Sequence, residues 1–169
     1  MNQVSEAEQK VLVHLNHAGV PYEIVPIDPA FADTANFCAK YGFPMENSAN
    51  TIIVASKKEP KSYAACVVQA TSRLDVNHRV SDLLGVKRIS FADAQETVAL
   101  TGMMIGGVTC LALPAGLRLY VDENLMALEY VILGSGSRSS KIKVSPEVFR
   151  RIEGAQVIAG LTLPAKPPQ

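Results

Sequence analysis

The sequence predicts one mixed α/β domain, of the α+β kind. Three observations carry that expectation. The 169 residues are 48% hydrophobic and 19% charged, a composition that buries a core and does not suit a disordered chain. Short β-branched runs alternate with capped helical segments in no regular order. Several of those runs stand only a turn apart, which suits hairpins better than a repeated strand–helix–strand unit. Neither an internal repeat nor a linker divides the chain. Residues 1–160 therefore read as a single domain and residues 161–169, which end in "LPAKPPQ", as a flexible tail.

The clearest helix is "SEAEQKVLVHLNHAG". Ser5 and Glu8 are spaced as a capping box, Val11, Leu12 and Leu15 share a face, and Gly19 stands where a helix ends. His14 and His17 lie on it, but no acid or cysteine nearby completes a metal set, so they read as surface residues. "PYEIVPI" is a strand with proline at its edges, and "TANFCAKYG" is a short helix stopped by Gly42. "NTIIVAS" and "SYAACVVQA" are buried strands joined by the charged turn "KKEPK". "DVNHRVSDLLG" is a helix from an Asp75 cap to Gly85, with His78 exposed; "SFADAQETVALTG" is a helix from Ser90 to Gly102. "LRLYVD" and "ALEYVILG" are strands around "DENLM", and "KIKV" is another. "SPEVFRRI" is a helix capped by Ser145 with Pro146 in its first position.

A net charge of zero hides an uneven spread. Residues 57–88 carry seven bases and three acids, and residues 134–151 carry five bases against Glu147. Two basic segments on a neutral chain make either one basic face for a polyanion or an ordinary solvated surface. Cys38, Cys66 and Cys110 lie in apolar surroundings and read as reduced thiols. With the polar N-terminus they point to a cytoplasmic protein. No apolar run reaches the ~18 residues that a membrane helix needs. Phosphate-loop, nucleophile-elbow, paired-cysteine and HExxH patterns are absent, so neither a metal nor another cofactor is expected.

Two glycine-bearing stretches remain, "TGMMIGGVTCLALP" at 101–114 and "LGSGSRSSK" at 133–141. Glycine is placed where a backbone takes unusual dihedrals or where something approaches closely, either a neighbouring strand or a ligand. N–H groups in such loops bind carboxylates, phosphates or a developing oxyanion. Cys110, after Thr109, is a candidate nucleophile, although a buried apolar thiol suits its neighbours better.

Taken in order, "PYEIVPI", "TIIVAS", "SRLDVNHRVSDLLG", "TGMMIGGVT", "YVDENLM" and "GSGSRSSKIKVSPE" resemble the YbaK/EbsC family of aminoacyl-tRNA deacylases, related to the editing (insertion) domain of bacterial prolyl-tRNA synthetase. The resemblance runs from about Pro21 to about Ile158. It implies a YbaK-like mixed β-barrel flanked by helices. It also implies a pocket that hydrolyses the ester between a wrong amino acid and the tRNA 3′ end, with the terminal ribose hydroxyl helping to activate water. By that resemblance Asn50, Gly106 and Gly107 are catalytic, and Thr109, Cys110, Gly134, Ser135 and Gly136 hold the substrate. Lys57, Lys58, Lys61, Arg138 and Lys141 meet tRNA phosphates. The chain would act in trans, alone or with an aminoacyl-tRNA synthetase. Small residues near the pocket favour alanine, serine or cysteine as the amino acid. Two positions depart from the family pattern. A lysine usually precedes the threonine of the first core strand, where this chain has Asn50, and a proline usually stands where it has Cys110. Asn50 donates two hydrogen bonds but brings no charge. A protein that kept the fold and lost the chemistry, binding tRNA or a small ligand, is the alternative reading. A thiol enzyme built on Cys110 is another.

Overall fold

The computed structural model describes residues 4–164. In chain order the main elements are α1 (Glu6–Ala18), β1 (Tyr22–Pro26), α2 (Thr34–Tyr41), β2 (Ala49–Ser56), β3 (Tyr63–Gln69), β4 (Ser72–Leu74) and α3 (Ser81–Leu84). They continue as β5 (Ile89–Phe91), α4 (Ala94–Thr101), β6 (Arg118–Asp122), β7 (Val131–Gly134), β8 (Ser140–Val144), β9 (Ala155–Ile158) and β10 (Thr162–Pro164). No helix among them is long and apolar enough to cross a membrane.

A five-stranded sheet in the order β5-β2-β3-β6-β9 forms the centre. β3 shows why its strands read as unbroken apolar runs. Ala65 and Val67 enter the larger core, while Ala64, Cys66 and Val68 enter a second one on the other face. A strand covered on both sides needs hydrophobic residues at every position, and each fully buried valine stabilises the fold by about 1.5–3 kcal/mol. β2 and β3 pair antiparallel, from Ala49 opposite Gln69 to Ala55 opposite Tyr63. β6 then runs parallel to β3. A three-stranded sheet, β1-β8-β7, lies beside β2 and is joined to it by a single bridge, Ser48 to Ile132. Among the described residues that bridge is the one backbone pairing between the two sheets, which share the larger core without closing into a continuous barrel. β4 and β10 form a separate pair.

Several sequence expectations shift at element ends. α4 is capped by Asp93, whose side chain forms a capping box with Glu96, because Ser90 is already committed to β5. After Asp75 the chain first makes a wide π-helical turn, Val76–Val80, and Asp75 pairs with His78 instead of capping it. Pro146–Arg151 is 3-10 rather than α, and "ALEYVILG" becomes a strand only from Val131. The expected tail begins at 161, yet Leu161 is buried and Thr162–Pro164 pairs with β4. The remainder of that tail, 165–169, lies outside the described residues.

His14 is not a surface residue. It is half-buried, and its Nδ1 accepts the Ala112 N–H at 2.6 Å, tying α1 to the end of the glycine-rich segment. Ala112 is the one non-glycine with positive φ (60°) among the described residues. Burial, with His17 beside it, lowers the His14 pKa from 6.5. The unfolded chain therefore takes this proton more readily than the folded one. The stability contributed by neutral His14 is present in full above pH 6.5 and is lost as pH falls from there toward the folded-state value. His14→Ala should cost about 1–2 kcal/mol at pH 7.5 and flatten the decline between pH 6.5 and 5. Urea titrations of both proteins across that range measure it, and an equally steep decline in the variant would show that His14 is not responsible.

Candidate functional site

A cavity of about 300 Å³ opens between the start of β2, helix α2, strand β7 and the glycine-rich segment. α2 is anchored there by Phe37, which is almost wholly buried and stacks on Phe43 with ring centroids 5.2 Å apart. Thr34, in its first turn, donates its hydroxyl to Asn50 Oδ1 at 2.8 Å. That contact occupies the amide oxygen, so the NH2 end of Asn50 is the end left to donate. Beside it, the buried Thr51 hydroxyl has no oxygen or nitrogen partner among the described residues and lies against the Cys110 thiol. Phe37, Ile53, Ile132 and Leu133 supply apolar wall.

The two glycine-bearing stretches meet at one side of this cavity, backbone against backbone. Gly136 N–H donates to Gly107 O at 2.7 Å, and Met104 N–H donates to Gly136 O at 3.0 Å. A Cβ on Gly107 would fall 2.1 Å from Ser137 O, and one on Gly134 would fall 2.6 Å from Val108 O. These glycines answer to the neighbouring loop rather than to a ligand. Gly106 differs. It lines the cavity, its φ is 91°, and a Cβ there would meet Arg138 Nη1 at 2.2 Å.

Arg138 is engaged within the fold. Nε and Nη2 donate to Pro29 O at 3.1 and 3.0 Å, and Nη1 donates to Ile105 O at 2.9 Å and to Asp33 Oδ1 at 3.2 Å. Lys141 is also not a surface cation. It is 6% exposed, lines the cavity, and donates to Gly106 O at 2.8 Å. Its Nζ lies 5.8 Å from the Phe37 ring centroid. Burial, reinforced by the Arg138 charge, pushes its pKa down to about 8. Two successive carbonyls of the glycine-rich segment, Ile105 and Gly106, are thus held by two cations from the β7–β8 segment.

Other residues that the resemblance assigns to the site lie elsewhere. Thr109 and Cys110 are in the larger core, at 0% and 1% exposure, and do not line the cavity. Burial pushes the Cys110 thiol up to about 12, so it is no nucleophile at neutral pH. Ser135 is buried and donates to Ser140 O at 2.9 Å; the Ser140 hydroxyl sits 3.2 Å from Glu8 Oε2 of the α1 capping box. A Cβ on Gly136 would press on Ala7 at 3.1 Å. These two residues dock α1, whereas Gly134 does line the cavity. Lys61 pairs with Glu96 at 3.1 Å. Lys57 and Lys58 line a second cavity of about 670 Å³ together with Lys87 and Arg88, two bases that sequence reasoning left unassigned. β5 carries this basic groove to the first cavity. Arg88 O accepts the Lys57 N–H at 3.0 Å, and Phe91, 60% exposed, is in the cavity wall.

Comparison with known proteins agrees with this architecture. The aminoacyl-tRNA editing domain family matches residues 28–152. A crystal structure described as a candidate trans-editing enzyme for prolyl-tRNA synthetase is similar at a TM-score of 0.78 and 22% identity, over 93% of this chain and 98% of that one. The hypothetical protein APE2540 is similar at a TM-score of 0.80 and 28% identity, over 91% and 99% of the two chains. A scaffold protein used in computational grafting of linear epitopes gives 0.76 and 22%, over 92% and 97%.

The two central glycines should respond differently to alanine. Gly107→Ala forces backbone apart and should cost about 3 kcal/mol or more, whereas Gly106→Ala displaces a side-chain tip and strains one φ, for about 1–2 kcal/mol. Thermal melts of the two variants test the order. A Gly107→Ala protein as stable as wild type would mean that the loops are not packed as described.

Proposed function

Because the chain belongs to the aminoacyl-tRNA editing domain family, we propose that the 300 Å³ cavity hydrolyses the ester of a mischarged tRNA carrying a small amino acid, in trans and in the cytoplasm. The observation that carries this reading is the pairing of an unused donor with a small cavity. The Asn50 NH2 is available to an ester and its ribose, while Phe37, Ile53, Ile132 and Leu133 leave room for little beyond a short side chain. Water adds to the ester carbonyl, and the substrate's terminal ribose hydroxyl helps to orient it. Asn50 and Gly106 bind the ester and ribose end. Gly107 and Gly134 contribute by letting the two loops close on each other. An enzyme of this kind needs no protein nucleophile, which suits a cavity with no cysteine among its described lining residues: Cys110 is in the core, and Cys38 contacts Ser48.

The tRNA backbone runs along the basic groove. Lys57, Lys58, Lys87 and Arg88 take phosphates, and exposed Phe91 stacks on an unpaired base between groove and cavity. Lys61 and Arg138 contribute less, since each is engaged with a carboxylate of the chain itself. A synthetase partner would serve to deliver the substrate.

Two measurements test the reading. In a low-salt deacylation assay with alanyl-, seryl-, cysteinyl- and prolyl-tRNAs, wild type should turn over at least one mischarged species, and Asn50→Ala should lower kcat/KM about tenfold or more. A protein that binds these tRNAs and hydrolyses none is a binding protein. Charge reversal at Lys58 and Arg88 should raise KM about tenfold at 100 mM salt, leave kcat unchanged, and reduce the salt slope by about 2. An unaltered slope would move the tRNA to another face.

A further inference from the structure

The cavity contains one basic side chain among the described residues, and it is buried. We infer that the Lys141 ammonium is a catalytic residue of this pocket, stabilising the negative charge that forms on the ester carbonyl oxygen as water adds. The inference rests on the editing reading above and names the group that performs its hardest step. Sequence alone places Lys141 among surface bases.

Three observations support it. First, Lys141 has no carboxylate partner. Its one recorded hydrogen bond is to Gly106 O at 2.8 Å, so two of its three N–H donors remain for a ligand. Asp33, the acid in the cavity wall, is already paired with Arg138. Second, a buried cation without a counter-charge is costly unless a negative charge arrives. The Phe37 ring, and the Asp33 carboxylate that Arg138 shares, offset only part of that cost. Third, the ammonium is fixed in place. β8 holds its backbone between Val25 of β1 and Gly134 of β7, and Gly106 O holds its tip. Fixed donors in a water-poor site are the arrangement that favours a developing oxyanion.

The step balances without a cofactor. Water oxygen bonds to the carbonyl carbon, and the carbonyl electron pair moves to oxygen beside the ammonium. The carbon–oxygen bond to the ribose then breaks, and the leaving oxygen takes a proton from the added water. The amino acid departs and its carboxyl group gives the other proton to solvent. Lys141 keeps its protons throughout.

The charged and titratable groups that face Lys141 are Arg138 from its own loop, Asp33 ahead of α2 and Cys38 within α2. With burial and Arg138 holding the pKa to about 8, the ammonium is the main form at pH 7 and is lost as pH rises past that value. Uncatalysed ester hydrolysis speeds up with pH, so the enzyme's advantage over solution should shrink in the alkaline range.

The test uses the full chain on whichever mischarged tRNA the panel identifies, from pH 6.5 to 9.5. Lys141→Met should fold at least as stably, since a buried charge gives way to a similar apolar volume. Its kcat should fall about 100-fold with KM little changed. For wild type, kcat itself should drop about tenfold per pH unit above the Lys141 pKa. Lys141→Arg should retain more activity than Lys141→Met and lose that drop, because a guanidinium stays charged throughout. Raised KM with unchanged kcat in Lys141→Met would make the residue a tRNA anchor and overturn the inference. A wild-type kcat that rises through pH 8, absent in Lys141→Met, would make it a general base and overturn it equally. If wild type hydrolyses nothing, the editing reading itself fails, and this inference with it. Turnover by wild type with an undiminished Lys141→Met refutes the inference alone.

Discussion

Where segment 101–114 meets segment 133–141, two backbones touch with no side chain between them. Gly136 donates to the Gly107 carbonyl at 2.7 Å, and Ser137 and Val108 stand where side chains on Gly107 and Gly134 would be. Everything around the cavity inherits its position from this contact. It brings Arg138 within reach of Ile105 O and Lys141 within reach of Gly106 O. It also sets Gly136 against Ala7, so that α1 can dock and place His14 on Ala112. Larger residues at these positions would open the loops, and the cations would lose the carbonyls they hold.

That contact also explains how a chain of zero net charge sorts its bases. A carbonyl turned toward a cavity is an acceptor in need of a partner, and a guanidinium or ammonium meets that need more strongly than a neutral donor. Arg138 and Lys141 are used in this way. The bases of 57–61 and 87–88 are not drawn inward, because their hairpin and loop are exposed. They remain as a groove free to meet phosphates, with Lys61 set aside by Glu96. Composition counts all of these residues alike, while the fold divides them into loop clamps and a surface.

Much of this was legible in the sequence. The α1 capping box, the Gly19, Gly42, Gly85 and Gly102 stops and the paired strands are signals carried within a few residues, and the structure contains each of them. The site was legible only in outline. Asn50, Gly106 and Gly134 do line the cavity, but Thr109, Cys110, Ser135 and Gly136 do not. A small polar residue beside a glycine looks the same in sequence whether it faces a ligand or a neighbouring loop. "KIKV" was readable as an alternating strand with Ile142 and Val144 inward. What alternation cannot say is that α2 covers the other face at Lys141, turning a nominal surface lysine into a cavity residue. Thr34, Phe37 and Phe91 were missed for the same reason. Their roles depend on contacts between segments far apart in the chain.

The same geometry bears on Asn50, where the resemblance drawn from the sequence leads one to expect a lysine. β2 and β8 contribute Asn50 and Lys141 to one cavity of about 300 Å³. Two ammonium groups enclosed in so small a volume would each depress the other's pKa, and one of them would be driven neutral. A cavity of this size therefore has room for one buried cation that stays charged at neutral pH. With Lys141 filling that place from β8, the β2 position is better served by a neutral group that still donates, and Thr34 fixes which end of the asparagine does so. On this view the departure at Asn50 is not a lost charge. The charge enters the pocket from the opposite wall, and the asparagine is what keeps it the only one there.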